Sequence, residues 1–272
     1  MNKKNILITG GSRGLGLEYA NYLATKGYNI GITDISERAC TIYGESDSIS
    51  SILSRLKQNN VQAWFWPADL TDPQETHMMV KEFISNFGTI HGLVANAGGD
   101  IAGTGEDAEG GKAEHNSLLI DDLEHHNIFD RNYYTCFNTM KHVIPYMQQQ
   151  GHGKIITVSS VNAVFGVKKE TAYSVAKAGV LQLTRSAAKE FREDGININC
   201  IMPGPVTTGR FLSTLKARNK HDLQNLTSTS RLNRVAGPAD ISPVVEFLLS
   251  EASDFISGEL IRVDGGLFPQ PM

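Results

Sequence analysis

Seven short apolar runs recur along the sequence, and longer amphipathic stretches separate them. The runs lie at 5–9, 29–33, 61–66, 92–96, 154–159, 198–202 and 259–263, and they have the length and composition of buried strands. Helical spacing is found at roughly 14–26, 47–59, 73–87, 121–149, 172–193 and 238–250. Because parallel strands need long crossovers, the alternation predicts an α/β fold, a doubly wound parallel sheet of about seven strands with helices on both faces.

The length and apolar content favour one domain over residues 1–272. A chain of 272 residues with 40% hydrophobic content can bury one substantial core. Two stretches, 99–120 and 204–234, do not continue the alternation of strands and helices. We expect both to be loops, and loops of this length are commonly functional.

Charge and cysteine content exclude several classes of partner. The net charge of −4 comes with no basic stripe, so we expect no nucleic-acid or membrane partner. The start of the chain lacks the apolar core of a signal peptide, which predicts a cytoplasmic protein. Cys40, Cys136 and Cys200 lie far apart, without the spacing of a disulfide framework or a zinc site, so we expect no bound metal.

The stretch ILITGGSRGLG, residues 6–16, joins the first predicted strand to the first predicted helix. Glycines there let the backbone turn tightly and let a pyrophosphate approach the unpaired N–H groups of the helix N-terminus. The spacing, Gly10-x3-Gly14-x-Gly16, differs from the G-x-G-x-x-G of the general dinucleotide motif. Taken alone, it fits a tight strand-to-helix turn equally well.

Further motifs follow in a fixed order along the chain. They are Thr9-Gly10, Asn96-Ala97-Gly98, Ser160, Tyr173-x3-Lys177, Pro203-Gly204, Gly258 and Asp264-Gly265-Gly266. In order and spacing, the sequence resembles the short-chain dehydrogenase/reductase family over nearly all of residues 4–267. The resemblance implies a single-domain Rossmann-like fold, a nicotinamide cofactor, hydride transfer between a carbonyl and an alcohol, and a homotetramer or homodimer.

Four residues are the candidate catalytic set. Tyr173 and Lys177 are four apart in a helical pattern and share a face, and a nearby ammonium favours the ionised phenol, so we expect Lys177 to lower the pKa of Tyr173 toward neutrality. Tyr173 would then be the acid/base. The resemblance adds Ser160, which would hydrogen-bond the substrate oxygen, and Asn132, which would hold a water linked to Lys177.

The candidate cofactor residues come from the glycine-rich loop and from the resemblance. They are Gly10, Ser12, Arg13, Gly14, Leu15, Gly16, Asp34, Asp69, Leu70, Asn96, Ala97, Gly98, Tyr173, Lys177, Pro203, Gly204, Val206 and Thr208. Asp34 ends the second strand, where an acid accepts hydrogen bonds from ribose hydroxyls and repels a 2′-phosphate. This favours NAD, whereas Arg13 leaves NADP open.

The substrate is the least constrained part of the prediction. Segments 99–120 and 204–218 leave the carboxyl ends of strands, so we expect them to enclose the substrate. Asn162, Arg210 and Phe211 are the candidate contacts. Arg210 with Lys168 and Lys169 would favour an anionic or heavily hydroxylated compound.

Three functions stay open at this point. The favoured one is NAD-dependent oxidation or reduction of a small polar polyol, sugar or cyclic alcohol. A second is the NADPH-dependent reduction of a 3-oxoacyl thioester. A catalytically idle nucleotide-binding sensor or scaffold is the alternative from a different class.

Overall fold

A computed structural model of the protein describes residues 3–100, 117–214 and 224–269. Seven parallel strands form one sheet in the order β3-β2-β1-β4-β5-β6-β7. The strands are β1 (Asn5–Thr9), β2 (Asn29–Asp34), β3 (Ala63–Pro67), β4 (Gly92–Ala95), β5 (Gly153–Val158), β6 (Ile196–Pro203) and β7 (Leu260–Val263). All seven predicted strands are confirmed, with ends that shift by at most two residues.

Helices cover both faces of this sheet. The described ones are α1 (Gly14–Thr25), α2 (Ile49–Lys57), α3 (Pro73–Phe87), α4 (Asp122–Phe129), α5 (Thr135–Gln150), α6 (Thr171–Glu190), α7 (Gly209–Ser213) and α8 (Ser242–Leu249). Successive strand residues point to opposite faces. Ile6 and Ile8 therefore join a core with α1, α2 and α8, whereas Leu7 joins a core with α3, α5 and α6.

The helix predicted over 121–149 is confirmed in extent, but it contains a turn that the sequence did not predict. The chain forms α4, then a π-helical turn at Asp130–Tyr134, then α5. A π-helical turn holds one more residue than an α-helical turn, local propensity does not mark it, and such turns are common at functional sites. The helix predicted from 238 begins as a 3-10 turn, Pro238–Asp240, four residues before α8.

All three cysteines of the sequence are free and buried. Burial raises the pKa of Cys136 to about 12 and of Cys200 to about 11. The described residues contain no group of three or more His, Cys, Asp or Glu side chains placed to hold a metal ion. Among the same residues, no helix has both the length and the apolar character needed to cross a membrane.

Candidate active site

A cleft of about 710 Å³ opens at the carboxyl ends of the strands. β1 lies between β2 and β4, so the strand order reverses there and the flanking connections leave in opposite directions. Open α/β sheets bind ligands in the crevice that this reversal creates. The volume is in the range of sites for small molecules and cofactors.

The glycine-rich loop between β1 and α1 presents its backbone to the cleft. Gly10 and Gly14 have φ angles of 59° and 56°, in the left-handed region that favours glycine. A Cβ at Gly16 would lie 2.0 Å from the Gly10 carbonyl oxygen, so α1 can begin against the turn only with glycine there. Asn96 Nδ2 donates to the carbonyls of Thr9 and Gly10 at 3.0 and 3.2 Å. This braced loop at a helix N-terminus fits a pyrophosphate.

Asp34 ends β2 beside the loop, and three donors hold its carboxylate. Oδ2 accepts from the Ser12 hydroxyl at 2.5 Å and from the Ser12 N–H at 3.3 Å, and Oδ1 accepts from the Ile35 N–H at 3.0 Å. Asp34 is 8% exposed and lines the cleft. Each carboxylate oxygen has two lone pairs, so the group can still accept from ribose hydroxyls.

Arg13 contributes an unsatisfied donor to the same part of the cleft. Its guanidinium lies 5.5 Å from the centroid of the Tyr43 ring. Among the described residues, its buried Nη1 has no hydrogen-bond partner. Buried donors usually have an acceptor, so this orphaned nitrogen fits a cleft that holds a polar ligand.

The end of β5 and helix α6 bring three candidate catalytic residues together. Ser160 accepts from the Asn162 N–H at 3.2 Å and forms a side-chain hydrogen bond with Tyr173. Lys177, one turn further along α6, donates from Nζ to the Val158 carbonyl at 2.9 Å. The Lys177 Nζ lies 5.9 Å from the centroid of the Tyr173 ring. A phenol with a hydroxyl and an ammonium nearby can move a proton to or from a substrate oxygen.

Burial controls the ionisation of Tyr173 and Lys177. It raises the pKa of Tyr173 to about 12, against smaller lowering effects of Arg210 and the Ser160 hydrogen bond. It lowers the pKa of Lys177 to about 8. The expectation that Lys177 brings the Tyr173 pKa toward neutrality is therefore wrong for this arrangement, because Nζ is directed to the Val158 carbonyl and desolvation of the phenol dominates.

Asn132 lies in the π-helical turn and is fully buried. Its Oδ1 accepts from the Gly99 N–H at 2.7 Å, and its Nδ2 donates to the carbonyls of Gly99 at 3.0 Å and Ile128 at 2.8 Å. These bonds fix the chain as it leaves β4. A Cβ at Gly98 would lie 2.8 Å from Asn132 Oδ1 and 3.2 Å from Lys177 Nζ, so both side chains lie against Gly98.

Two arginines besides Arg13 lie on the wall of the cleft. A Cβ at Gly99 would be only 1.5 Å from Arg210 Nη1, so this guanidinium packs directly against the Gly99 backbone. Arg131 also lines the cleft, and burial, reinforced by the charge of Arg210, lowers its pKa despite nearby Glu124. Together with Arg13, they put three guanidinium groups in one cleft, an arrangement suited to an anionic or strongly polar ligand.

The comparisons with known proteins agree with this geometry. A family model described as Enoyl-(Acyl carrier protein) reductase matches residues 10–268. The chain belongs to the short-chain dehydrogenase/reductase family. It is 30% identical over 267 residues to 3-oxoacyl-[acyl-carrier-protein] reductase FabG of Staphylococcus aureus (strain Mu50 / ATCC 700699), covering 97% of this chain and 98% of the relative.

Two further similar proteins are named for different activities. Cyclohexanol dehydrogenase of Rhodococcus sp. (strain TK6) is 31% identical over 270 residues, covering 97% of this chain and 96% of that protein. A solved 7 alpha-hydroxysteroid dehydrogenase, complexed with NADH and 7-oxo glycochenodeoxycholic acid, has a TM-score of 0.82 and 28% identity, covering 97% and 93% of the two chains. The protein is accordingly an oxidoreductase of this family, acting on carbonyl or alcohol groups.

Most residues singled out in the sequence lie on this short-chain dehydrogenase/reductase cleft. The cleft is lined by Gly10, Arg13, Gly14, Leu15, Asp34, Asp69, Leu70, Asn96, Ala97, Gly98, Ser160, Asn162, Tyr173, Lys177, Pro203, Gly204, Val206, Thr208, Arg210 and Phe211. The lining does not include Ser12, Gly16 or Asn132. Ser12 instead holds Asp34, and Asn132 holds Gly99.

The predicted substrate enclosure is only partly described. Gly99 and Asp100 from the first segment line the cleft, as do α7 residues of the second. Positions 101–116 and 215–223 lie outside the described residues. Lys168 and Lys169, which we expected near the mouth, are exposed and are not among the residues that line the cleft.

Several cleft residues were not singled out in the sequence. They are chiefly Tyr43, Glu45, Arg131, Glu170 and Phe268. Tyr43 and Glu45 lie in an irregular connection after β2, which has no motif to mark it. Phe268 stacks on Phe165 with ring centroids 4.5 Å apart, a tertiary contact without a local sequence signal.

Proposed function

We propose that the protein is an NAD-dependent dehydrogenase that interconverts a secondary alcohol and a ketone on a small polar polyol, sugar or cyclic alcohol. The observation that carries the cofactor choice is Asp34, a buried acid held by Ser12 on the wall of the cleft. A second negative charge at about 4 Å costs roughly 4 kcal/mol at an effective dielectric constant near 20. A 2′-phosphate is therefore disfavoured at that position.

Different residues of the cleft would bind the cofactor, transfer the proton and position the reacting groups. The glycine-rich loop and Asp34 would hold the pyrophosphate and adenine ribose, and Val206 and Thr208 would hold the carboxamide. A bound nicotinamide supplies the carbon that accepts or gives the hydride. Tyr173 would carry the proton of the reacting oxygen, with Ser160 as a second hydrogen-bonding group on that oxygen. Lys177 would bond the nicotinamide ribose, and Asn132 would fix Gly99 beside it and hold the water linked to Lys177.

The similarity to FabG supports the second candidate function, which is the NADPH-dependent reduction of a 3-oxoacyl thioester. Arg13 is the residue that supports it, because its buried Nη1 lacks a partner within the described chain. The similarity to cyclohexanol dehydrogenase supports the favoured function. Asp34 decides between them in our proposal, since its carboxylate is buried and directly opposes the extra phosphate.

Cofactor preference followed by a substrate panel in both directions tests the proposal. We expect turnover with NAD on cyclic alcohols or polyols, and a slower reaction with NADPH on acetoacetyl thioesters. NADP efficiency equal to that of NAD, together with thioester reduction, would favour the second candidate. Complete inactivity across the panel, with cofactor still bound, would favour the nucleotide-binding sensor or scaffold.

A cytoplasmic location and a homotetramer or homodimer also remain proposals. Free, buried cysteines suit a reducing compartment. The helices carrying Tyr173 and the π-turn leave apolar side chains exposed, with Leu123 at 67% and Val175 at 52%, and these faces support an interface between copies. Light scattering after size-exclusion chromatography would measure the assembly, and a monomeric mass would exclude it.

A further inference from the structure

A carboxylate of the protein itself occupies the start of α1. Glu45 Oε2 accepts from the Gly14 N–H at 2.6 Å, and Oε1 accepts from the Gly209 N–H at 2.7 Å. One side chain thereby joins the glycine-rich loop to α7. Short bonds between N–H donors and an ionised acceptor are among the stronger hydrogen bonds in proteins.

The position of this carboxylate is chemically that of a phosphate. Gly14 is the first residue of α1, where the helix dipole and unpaired N–H groups attract an anion. A Cβ at Gly14 would meet nothing nearer than Thr208 at 3.7 Å, so no other side chain crowds Gly14 on the side of its Cα hydrogens. Glu45 also lines the cleft. The Glu45 carboxylate and a bound pyrophosphate would therefore compete for the N–H groups at the start of α1, that of Gly14 in particular.

The segment around Glu45 is held over the loop by more than this contact. The Tyr43 ring lies 5.5 Å from the Arg13 guanidinium carbon. The Tyr43 Cβ would lie 2.6 Å from a Cβ placed on Gly209, so the segment packs closely against α7. Contacts with Arg13 of the glycine-rich loop and with Gly209 of α7 thus keep the segment of Glu45 close to the Gly14 N–H.

We propose that Glu45 is an internal competitor for the cofactor's pyrophosphate and so sets the affinity of the protein for the dinucleotide. The proposal rests on the proposed function, because it assumes that the pyrophosphate binds at the glycine-rich loop. On binding, the carboxylate leaves the Gly14 and Gly209 donors, and the phosphate oxygens take the Gly14 N–H. No covalent bond changes in this exchange.

Binding of three ligands to Glu45→Ala and Glu45→Gln tests the exchange. Because the carboxylate no longer competes for the Gly14 N–H, we expect ADP-ribose and NAD to bind about tenfold more tightly to Glu45→Ala. Adenosine ends before the pyrophosphate, so its affinity should stay within about twofold of wild type. Glu45→Gln keeps a neutral acceptor, and its gain should be smaller than that of Glu45→Ala.

Asp47→Asn is the matched control. Asp47 is an exposed acid two residues away on the same segment, so its substitution changes the net charge without removing the bridge. An equal gain in Asp47→Asn, an unchanged ADP-ribose affinity in both Glu45 variants, or weaker binding in both would overturn the proposal. Thermal melting adds a second readout, since the ligand-free Glu45→Ala protein should melt below wild type while the NAD-bound forms melt at similar temperatures.

Wild-type protein separates the two proposals. If it binds neither NAD nor ADP-ribose, the proposed function fails. If wild type binds both and turns over, but the Glu45 variants bind no more tightly, only the competitor role fails.

Discussion

The Ser12 hydroxyl donates to Oδ2 of Asp34 across 2.5 Å, with both residues buried at the edge of the cleft. Sequence position alone marks Asp34 as an acid at the end of the second strand, whereas the structure adds the partner that keeps its carboxylate in one orientation. A fixed charge discriminates between ligands better than a mobile one, because it does not rotate away from a repulsive phosphate.

Asp34→Ala should move the cofactor preference toward NADP. Removing the buried charge lifts the repulsion on a 2′-phosphate, so the ratio of kcat/KM for NAD over NADP should fall by at least about tenfold, or 1.4 kcal/mol. Asp34→Asn is the isosteric control for charge alone and should give a similar fall. Steady-state kinetics with both cofactors measures it, and an unchanged ratio in both variants would remove Asp34 from cofactor selection.

Tyr173→Phe should abolish turnover while leaving the cofactor affinity within about twofold, since only the proton-carrying oxygen is lost. Acid/base groups contribute roughly 10²–10⁴-fold to rate, and we expect a fall in kcat of that size. Fluorescence titration with NADH supplies the binding control. A rate within about tenfold of wild type would exclude Tyr173 as the acid/base.

Lys177→Met should inactivate the enzyme and yet stabilise it near neutral pH. Burial lowers the Lys177 pKa to about 8 from 10.5, so below pH 8 the folded state holds a charge that the unfolded state solvates better. The cost is on the order of 3 kcal/mol. Because the unfolded state binds more protons between pH 8 and 10.5, this cost fades as pH rises.

Urea unfolding of the wild type and Lys177→Met measures that difference. The stability advantage of the variant should narrow by about 2 kcal/mol from pH 7 to pH 9.5. A pH-independent difference would mean that lost packing, and not the buried charge, controls the result. Lys168→Met, at an exposed position outside the cleft, should have little effect on stability at any pH.

Arg210→Ala tests the anion-binding character of the cleft. Arg210 packs on Gly99, and its charge acts on Tyr173. Losing a charge-assisted contact should raise the KM for a cyclic alcohol bearing a carboxylate by about tenfold or more. The KM for the matching neutral alcohol should change far less. In the control variant Lys169→Ala, the KM values for the charged and the neutral alcohol should both change little. Equal effects on the charged and neutral alcohols would contradict a role in anion recognition.

The sequence predicts most of this fold because its signals are local. Each strand is a short apolar run, and the turn at Gly14 needs glycine for its φ of 56°. The π-helical turn was missed for a physical reason, since Asn132 satisfies its side chain with the backbone of Gly99, 33 residues earlier. Secondary-structure propensities are read from short stretches of sequence, so they contain no information on a partner 33 residues away.

The candidate site was predicted unevenly for the same reason. Tyr173 and Lys177 share a helix face, so spacing brings them together. Their ionisation was not predictable, because it depends on burial that only the packed structure supplies. The position of Glu45 was not predictable either, because it depends on two distant contacts. Its carboxylate accepts from Gly14, 31 positions away in the sequence, and from Gly209, 164 positions away.

The burial of Cys40, Cys136 and Cys200 has a practical consequence for spectroscopy. Thiolates, not thiols, react with maleimides and iodoacetamides, and burial raises the pKa of each of these three groups. The three natural thiols should therefore react little with such reagents in the folded protein, which suits site-specific labelling. A single cysteine introduced at exposed Lys189 could carry a fluorophore on the helix of Tyr173 without first replacing any natural thiol.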